Sequence, residues 1–143
     1  MAKLIKTVTI NAPVEEVFNY AEDPNPLPEF WSSLIEVNNV QRLPNGGTSH
    51  GWVYKMAGIR FEGNTVTTEY DPLHRSVHKT EGGIKSTQAW TFKAEDGMTQ
   101  VTVETEYNIP IPLLGKLAEA FLVKLNEREA ETLLANLKAR MES

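Results

Sequence analysis

Three histidines, a handful of serines and the tyrosines on strand-like stretches are the residues whose types could carry chemistry in this chain. His74 and His78 stand four apart, a metal-ligand spacing on a helix. Leu73 to Thr80 reads as a strand, however, where the two rings would lie roughly 13 Å apart at about 3.3 Å per residue. The chain has no cysteine, which removes disulfides, thiolate metal sites and thiol catalysis. No close carboxylate pair completes a ligand set, so no metal site is expected. A two-residue loop at Gly82-Gly83 would point both histidines outwards, whereas a three-residue loop would turn His78 in. Ser76 and Ser86 have no motif around them. The stretch Gly46-Gly47-Thr48-Ser49-His50-Gly51 lacks the lysine of a phosphate loop. Arg60 and Glu62 flank Phe61 on the opposite face and read as a solvated pair. Glu36 is an acid/base candidate only if its parity faces the interior. Without a nucleophile beside a recognisable base, no catalytic residue is assigned and no cofactor is expected.

The more informative pattern is a set of aromatic and polar residues at strand period two. Six segments from Ser33 to Tyr107 have the spacing of an antiparallel meander. Ala57-Gly58 as a hairpin loop sets Met56 opposite Ile59, Tyr54 opposite Phe61 and Trp52 opposite Gly63. Asp96-Gly97 is a strong hairpin signal, setting Phe92 opposite Val101, Trp90 opposite Val103 and Gln88 opposite Thr105. Both hairpins agree on which parity is apolar. Aromatic residues on that face are most often plain core. Tyr54, Tyr107, Gln88 and Thr105 share it, though, and buried polar groups without partners cost roughly 1–3 kcal/mol each. A wet or ligand-filled cavity relieves that cost, and apolar walls with a few converging polar groups describe a small-molecule site.

These strands need something to wrap. From Pro112 to Met141 the sequence is rich in Leu, Ala, Glu, Lys and Arg, and past Pro112 it has no proline. One long helix is expected there, with Leu114, Leu117, Ala118, Phe121, Leu122 and Leu125 forming a first apolar stripe. Ala130, Leu133, Leu134, Leu137 and Met141 form a second, rotated stripe beyond the polar run Asn126 to Glu129. That run reads either as a bend or as the point where the helix end merely covers the side of the core. Ahead of the sheet, Lys3 to Ile10 reads as a strand. Asn11 reads as the N-cap of a short helix carrying Val14, Val17, Phe18 and Ala21. Pro24, Pro26 and Pro28 end that helix and leave room for one more helical turn.

A length of 143 residues, 41% hydrophobic and 23% charged, is one ordinary domain spanning residues 1–143. A net charge of −5 argues against a nucleic-acid partner. No segment has the length of a membrane span, and the N-terminus leads directly into a strand with no signal core, so a cytoplasmic protein is expected.

Several stretches carry a family likeness: Ile10 to Phe18, Asp23-Pro24, Leu27 to Trp31, Gly58 to Gly63, Tyr70 to Pro72, Trp90 to Phe92, and the helix after Ile109-Pro110. Taken together the chain resembles the Bet v 1-like, START-related helix-grip superfamily (SRPBCC), in particular its polyketide cyclase/dehydrase and lipid-transport branch. The resemblance implies an α+β helix-grip fold. A curved, seven-stranded antiparallel sheet wraps a long C-terminal helix, with two short helices between strands 1 and 2. It also implies a deep apolar cavity that binds lipids, sterols, polyketides, quinones or hormones. The loop around Gly46, Gly47 and Gly51 is poorer in glycine than in the plant members, which speaks against phosphate or plant-hormone binding.

The expected function is binding or transport of a small hydrophobic molecule by a monomer or homodimer. Trp31, Trp52, Tyr54, Phe61, Trp90, Phe92, Leu117 and Phe121 would form the walls, with Tyr54, Gln88 and Tyr107 fixing orientation. The alternatives are a cofactor-free cyclase or dehydratase, with Tyr54, Tyr107 or His78 as acid/base, and an interaction module with a vestigial cavity.

Overall fold

A computed structural model describes residues 2–56, 58–83, 85–108 and 115–143; for Ala2, Met56, residues 115–119, Phe121 and Leu122 it describes the main chain alone. The elements run β1 (Ala2–Ile10), α1 (Val14–Glu22), α2 (Leu27–Phe30), β2 (Leu34–Arg42), β3 (Thr48–Met56), β4 (Ile59–Asp71), β5 (Arg75–Gly82), β6 (Ser86–Glu95), β7 (Met98–Tyr107) and α3 (Gly115–Glu142). The strands form one antiparallel sheet of seven in the order β1-β7-β6-β5-β4-β3-β2. Because β1 pairs with β7, the chain closes on its own beginning, and α1 and α2 fall on the same face as α3.

Local chemistry explains most of this. Asp96 and Gly97 both take positive φ (49° and 79°), the twist a two-residue hairpin needs. They place Trp90 opposite Val103 and Gln88 opposite Thr105. Trp52 lies opposite Gly63. A Cβ on Gly63 would collide with the Trp52 ring and the Glu81 carbonyl, so the missing side chain is what lets the indole lie across the sheet. Register shifts between Leu34 and Glu36, Asn38 and Gln41, and Thr67 and Glu69 mark bulges, which bend strands and increase twist. They curl β2 to β4 around the helix.

Two local expectations are corrected and one open alternative is decided. Asn11 does not cap α1: the helix begins after Pro13 without a side-chain cap, and the Asn11 N–H instead donates to Glu142 Oε2 at 2.7 Å. Leu73 is not in a strand; it takes a φ of 70° in the turn before β5. The β5–β6 connection is longer than two residues, because Thr80 is the last β5 residue paired with β6, opposite Ser86. That sets His78 opposite Gln88 and turns it inwards, leaving His74 exposed at the turn. Leu114 lies outside the described residues, as do the side chains of Leu117, Ala118, Phe121 and Leu122.

The core splits in two. One cluster joins α1, α2, the C-terminal half of α3 and strands β6 and β7 through Phe18, Phe30, Phe92, Val101 and Leu137. A smaller one gathers Leu34, Trp52 and Tyr54 with Trp31 and Leu125 around them. Polar contacts hold the C-terminal half of α3 against the rest: Lys6 reaches Glu131 at 2.8 Å, Lys138 donates to the Thr9 carbonyl at 2.7 Å, and Asn136 donates to the Phe30 carbonyl at 3.2 Å.

Candidate functional site

Between the two clusters the sheet and α3 do not meet, and a cavity of about 150 Å3 remains. A void of that size holds about one benzene ring. Its floor is the inward face of the sheet, from Leu4 of β1 and Leu34 of β2 across β3 to β7, its roof is Asn126, Glu129, Ala130 and Leu133 of α3, and its rim is the end of α1 with Pro24, Leu27 and Trp31.

The chain's three tryptophans all line it. Trp31 and Trp90 have their indole N–H groups occupied, by Glu129 Oε1 at 3.0 Å and by Gln88 Oε1 at 3.2 Å. Trp52, 5% exposed, does not: its Nε1 is buried with no hydrogen-bond partner among the described residues. The same holds for the Tyr107 hydroxyl and for His50 Nδ1. Asn126 stands near Tyr107 without completing a hydrogen bond to it, and burial raises the tyrosine's pKa. All three residues line the cavity, while these three atoms are enclosed within its walls and each carries an unrelieved desolvation cost.

The other polar groups form two pairs. Tyr54 donates to Glu129 Oε2 at 2.5 Å while its ring meets that of Trp31 edge-on at 5.9 Å. Burial first, then the negative charge of Glu129, holds the Tyr54 hydroxyl far above the ordinary tyrosine range. It is therefore a donor and not a phenolate. Across the cavity, His78 Nε2 lies 3.2 Å from Glu22 Oε2 and 3.0 Å from Ser76 Oγ, and its Nδ1 lies 3.1 Å from Thr67 Oγ1. The Glu22 side chain is only 8% exposed, so this pair sits out of water. His50 next to it is pushed down to about 4 by burial and, secondarily, by His78, which leaves it neutral at neutral pH.

Of the residues singled out from the sequence, the structure brings Trp31, Trp52, Tyr54, Gln88, Trp90 and Tyr107 to the cavity. Phe92 is placed elsewhere: its ring packs edge-on against Phe18 at 5.0 Å under α1, inside the closed core. Phe61 is half-buried against the smaller cluster and does not reach the void. Glu36 is exposed and bonded by Asn38, and Arg60 and Glu62 pair on the surface at 3.1 Å. Sequence reasoning missed Glu22, His50, Asn126 and Glu129. Two signals were available: Glu129 and Asn126 stand four and eight residues before Leu133 and Leu134, on the flank of the buried stripe, and Glu22 closes the apolar face of α1 one residue after Ala21. Among the described residues no group of three or more His, Cys, Asp or Glu side chains is arranged to hold a metal ion, and no helix is long and apolar enough to cross a membrane.

Comparison with known proteins adds the family. The model of the family described as polyketide cyclase/dehydrase and lipid transport matches residues 1–142. Among solved structures, the protein TTHA0849 from Thermus thermophilus is 24% identical with a TM-score of 0.86, covering 98% of this chain and 97% of that one. A START superfamily protein from Mycobacterium smegmatis is 17% identical with a TM-score of 0.82, covering 98% and 97%. The Zhui aromatase/cyclase from Streptomyces sp. R1128 is 15% identical with a TM-score of 0.84, covering 99% and 93%. At these identities the likeness is one of fold. No curated protein matches the chain.

Proposed function

The chain belongs to the polyketide cyclase/dehydrase and lipid transport family, and we propose that within it this protein binds one small, largely apolar molecule in the cavity between sheet and α3. The observation that carries this reading is the void itself, about 150 Å3 roofed by α3, walled by Trp31, Trp52 and Trp90 and carrying the polar pairs Tyr54–Glu129 and His78–Glu22. Apolar walls with a few converging polar groups are the make-up of a small-molecule site. The molecule is of the lipid, polyketide, quinone or aromatic-metabolite kind, held by the tryptophan faces and oriented by the polar atoms. The test is tryptophan fluorescence titration with a panel of lipids, sterols and aromatic ketones. Saturable quenching at one site per chain is expected, and its absence across the panel contradicts the reading.

A cofactor-free cyclase or dehydratase is the second reading. Tyr54–Glu129 and His78–Glu22 favour it, since they line the same cavity with groups that can give and take a proton. It would be preferred if turnover of a reactive polyketide mimic were lost in Glu129→Gln while binding of an inert one persisted.

A further inference from the structure

The cavity's charge inventory is one-sided. Its described lining includes two carboxyl groups, Glu22 and Glu129, and no lysine or arginine. The nearest described basic residues of α3, Lys124 and Arg128, are exposed. His50 is neutral at neutral pH, and His78 already spends both ring nitrogens on Thr67, Ser76 and Glu22. Any positive charge on His78 has Glu22 beside it. An anion entering this site would be stripped of water and offered no cation by the described lining, a desolvation cost that hydrogen bonds from neutral donors do not recover.

The carboxyl groups specify the complement. Glu129 can only accept when ionised, and its two oxygens take one donor each from Trp31 and Tyr54, leaving lone pairs free for a hydroxyl. From this we infer that the site selects an uncharged ligand bearing a hydroxyl donor on an apolar body about one ring across, and excludes carboxylates and other anions. This rests on the binding reading above and narrows it: carboxylic acids, as their anions, are poor ligands, and neutral hydroxylated molecules are good ones.

Two matched pairs test this at pH 7 by calorimetry and tryptophan fluorescence on the intact protein: para-hydroxyacetophenone against para-hydroxybenzoate, and benzyl alcohol against benzoate. Within each pair the neutral member should bind at least about tenfold tighter, and acetophenone, which lacks the donor, several-fold more weakly than its hydroxylated form. Introducing a cation with Gln88→Lys should raise para-hydroxybenzoate affinity without raising that of the ketone. The wild-type ratios decide the matter even if that variant does not fold. Equal or tighter binding of the carboxylates overturns the inference while leaving a binding protein in place. Saturable binding of neither member of either pair overturns the binding reading and the inference with it.

Discussion

The two ends of the groove between sheet and α3 are built from the same strands and behave as different materials. At the closed end Phe18, Phe30, Val101 and Leu137 are at most 1% exposed, and Phe18 meets both Phe92 and Tyr70 ring to ring. The polar atom there, Thr99 Oγ1, donates to the Ala12 carbonyl at 2.8 Å. At the open end Trp52, Tyr107 and His50 are nearly as buried, yet each leaves a polar atom unpaired. The change occurs within single strands. Along the inward face of β7, Val101 and Val103 give way to Thr105 and Tyr107; along β6, Phe92 and Trp90 give way to Gln88 and Ser86. Burial alone therefore does not distinguish core from site. What distinguishes them is whether buried polar groups have partners.

The largest effect expected from this contrast is at the closed end. Phe18→Ala should cost roughly 3–5 kcal/mol in chemical denaturation, because a tightly packed neighbourhood leaves a void behind. Affinity for a neutral aromatic ligand should stay unchanged in the folded variant. A drop in affinity as large as the drop in stability would show that the two ends are not independent.

Acidification should strike the open end. His50 is held near a pKa of 4 when folded, against an ordinary 6.5. Between those values the unfolded chain binds a proton that the folded chain refuses. Stability is therefore retained above pH 6.5 and lost as pH falls from there toward 4, by roughly 2–4 kcal/mol from this one group. Urea denaturation across that window should show a shallower decline in His50→Leu than in the wild type. Parallel pH curves for the two proteins would remove His50 from the account.

The smallest effect has the sharpest sign. Removing a hydroxyl at each end should move stability in opposite directions. Thr99→Val should destabilise by about 1 kcal/mol, since it leaves the Ala12 carbonyl unpaired. Tyr107→Phe should be neutral or stabilise the ligand-free protein by up to about 1 kcal/mol, since it removes a polar atom that has no partner. Thermal melts of both variants check the signs, and two destabilisations of equal size would mean that the Tyr107 hydroxyl is satisfied.

Much of this architecture is legible in the residues themselves. Asp96-Gly97 carries the β6–β7 register because only certain residues tolerate its two positive φ angles, and the 3.6-residue stripe through Leu133, Leu134 and Leu137 marks the buried face of α3. The inward parity of Trp52, Tyr54, Trp90 and Tyr107 follows from the hairpins. Bulges are what hid the rest. The shift at Thr67 and Glu69 and the longer β5–β6 connection decide that His78 points in, and neither has a strong local signal. Phe92 was indistinguishable from Trp90 by period, because which stretch of an inward face lies under α1 is set by packing across the molecule. Glu22 and Glu129 look like solvated helix residues until α1 and α3 are docked over the same void.

The central claim is that the open end holds a ligand and the closed end does not, and the three indole N–H groups report on it directly. In nitrogen-15 NMR of the intact protein, titration with para-hydroxyacetophenone should move the indole signals of Trp31, Trp52 and Trp90, which all line the cavity. The backbone amides of Phe18 and Val101 should not move. Shifts centred on Phe18 and Val101, with all three indole signals unchanged at saturation, would contradict the account.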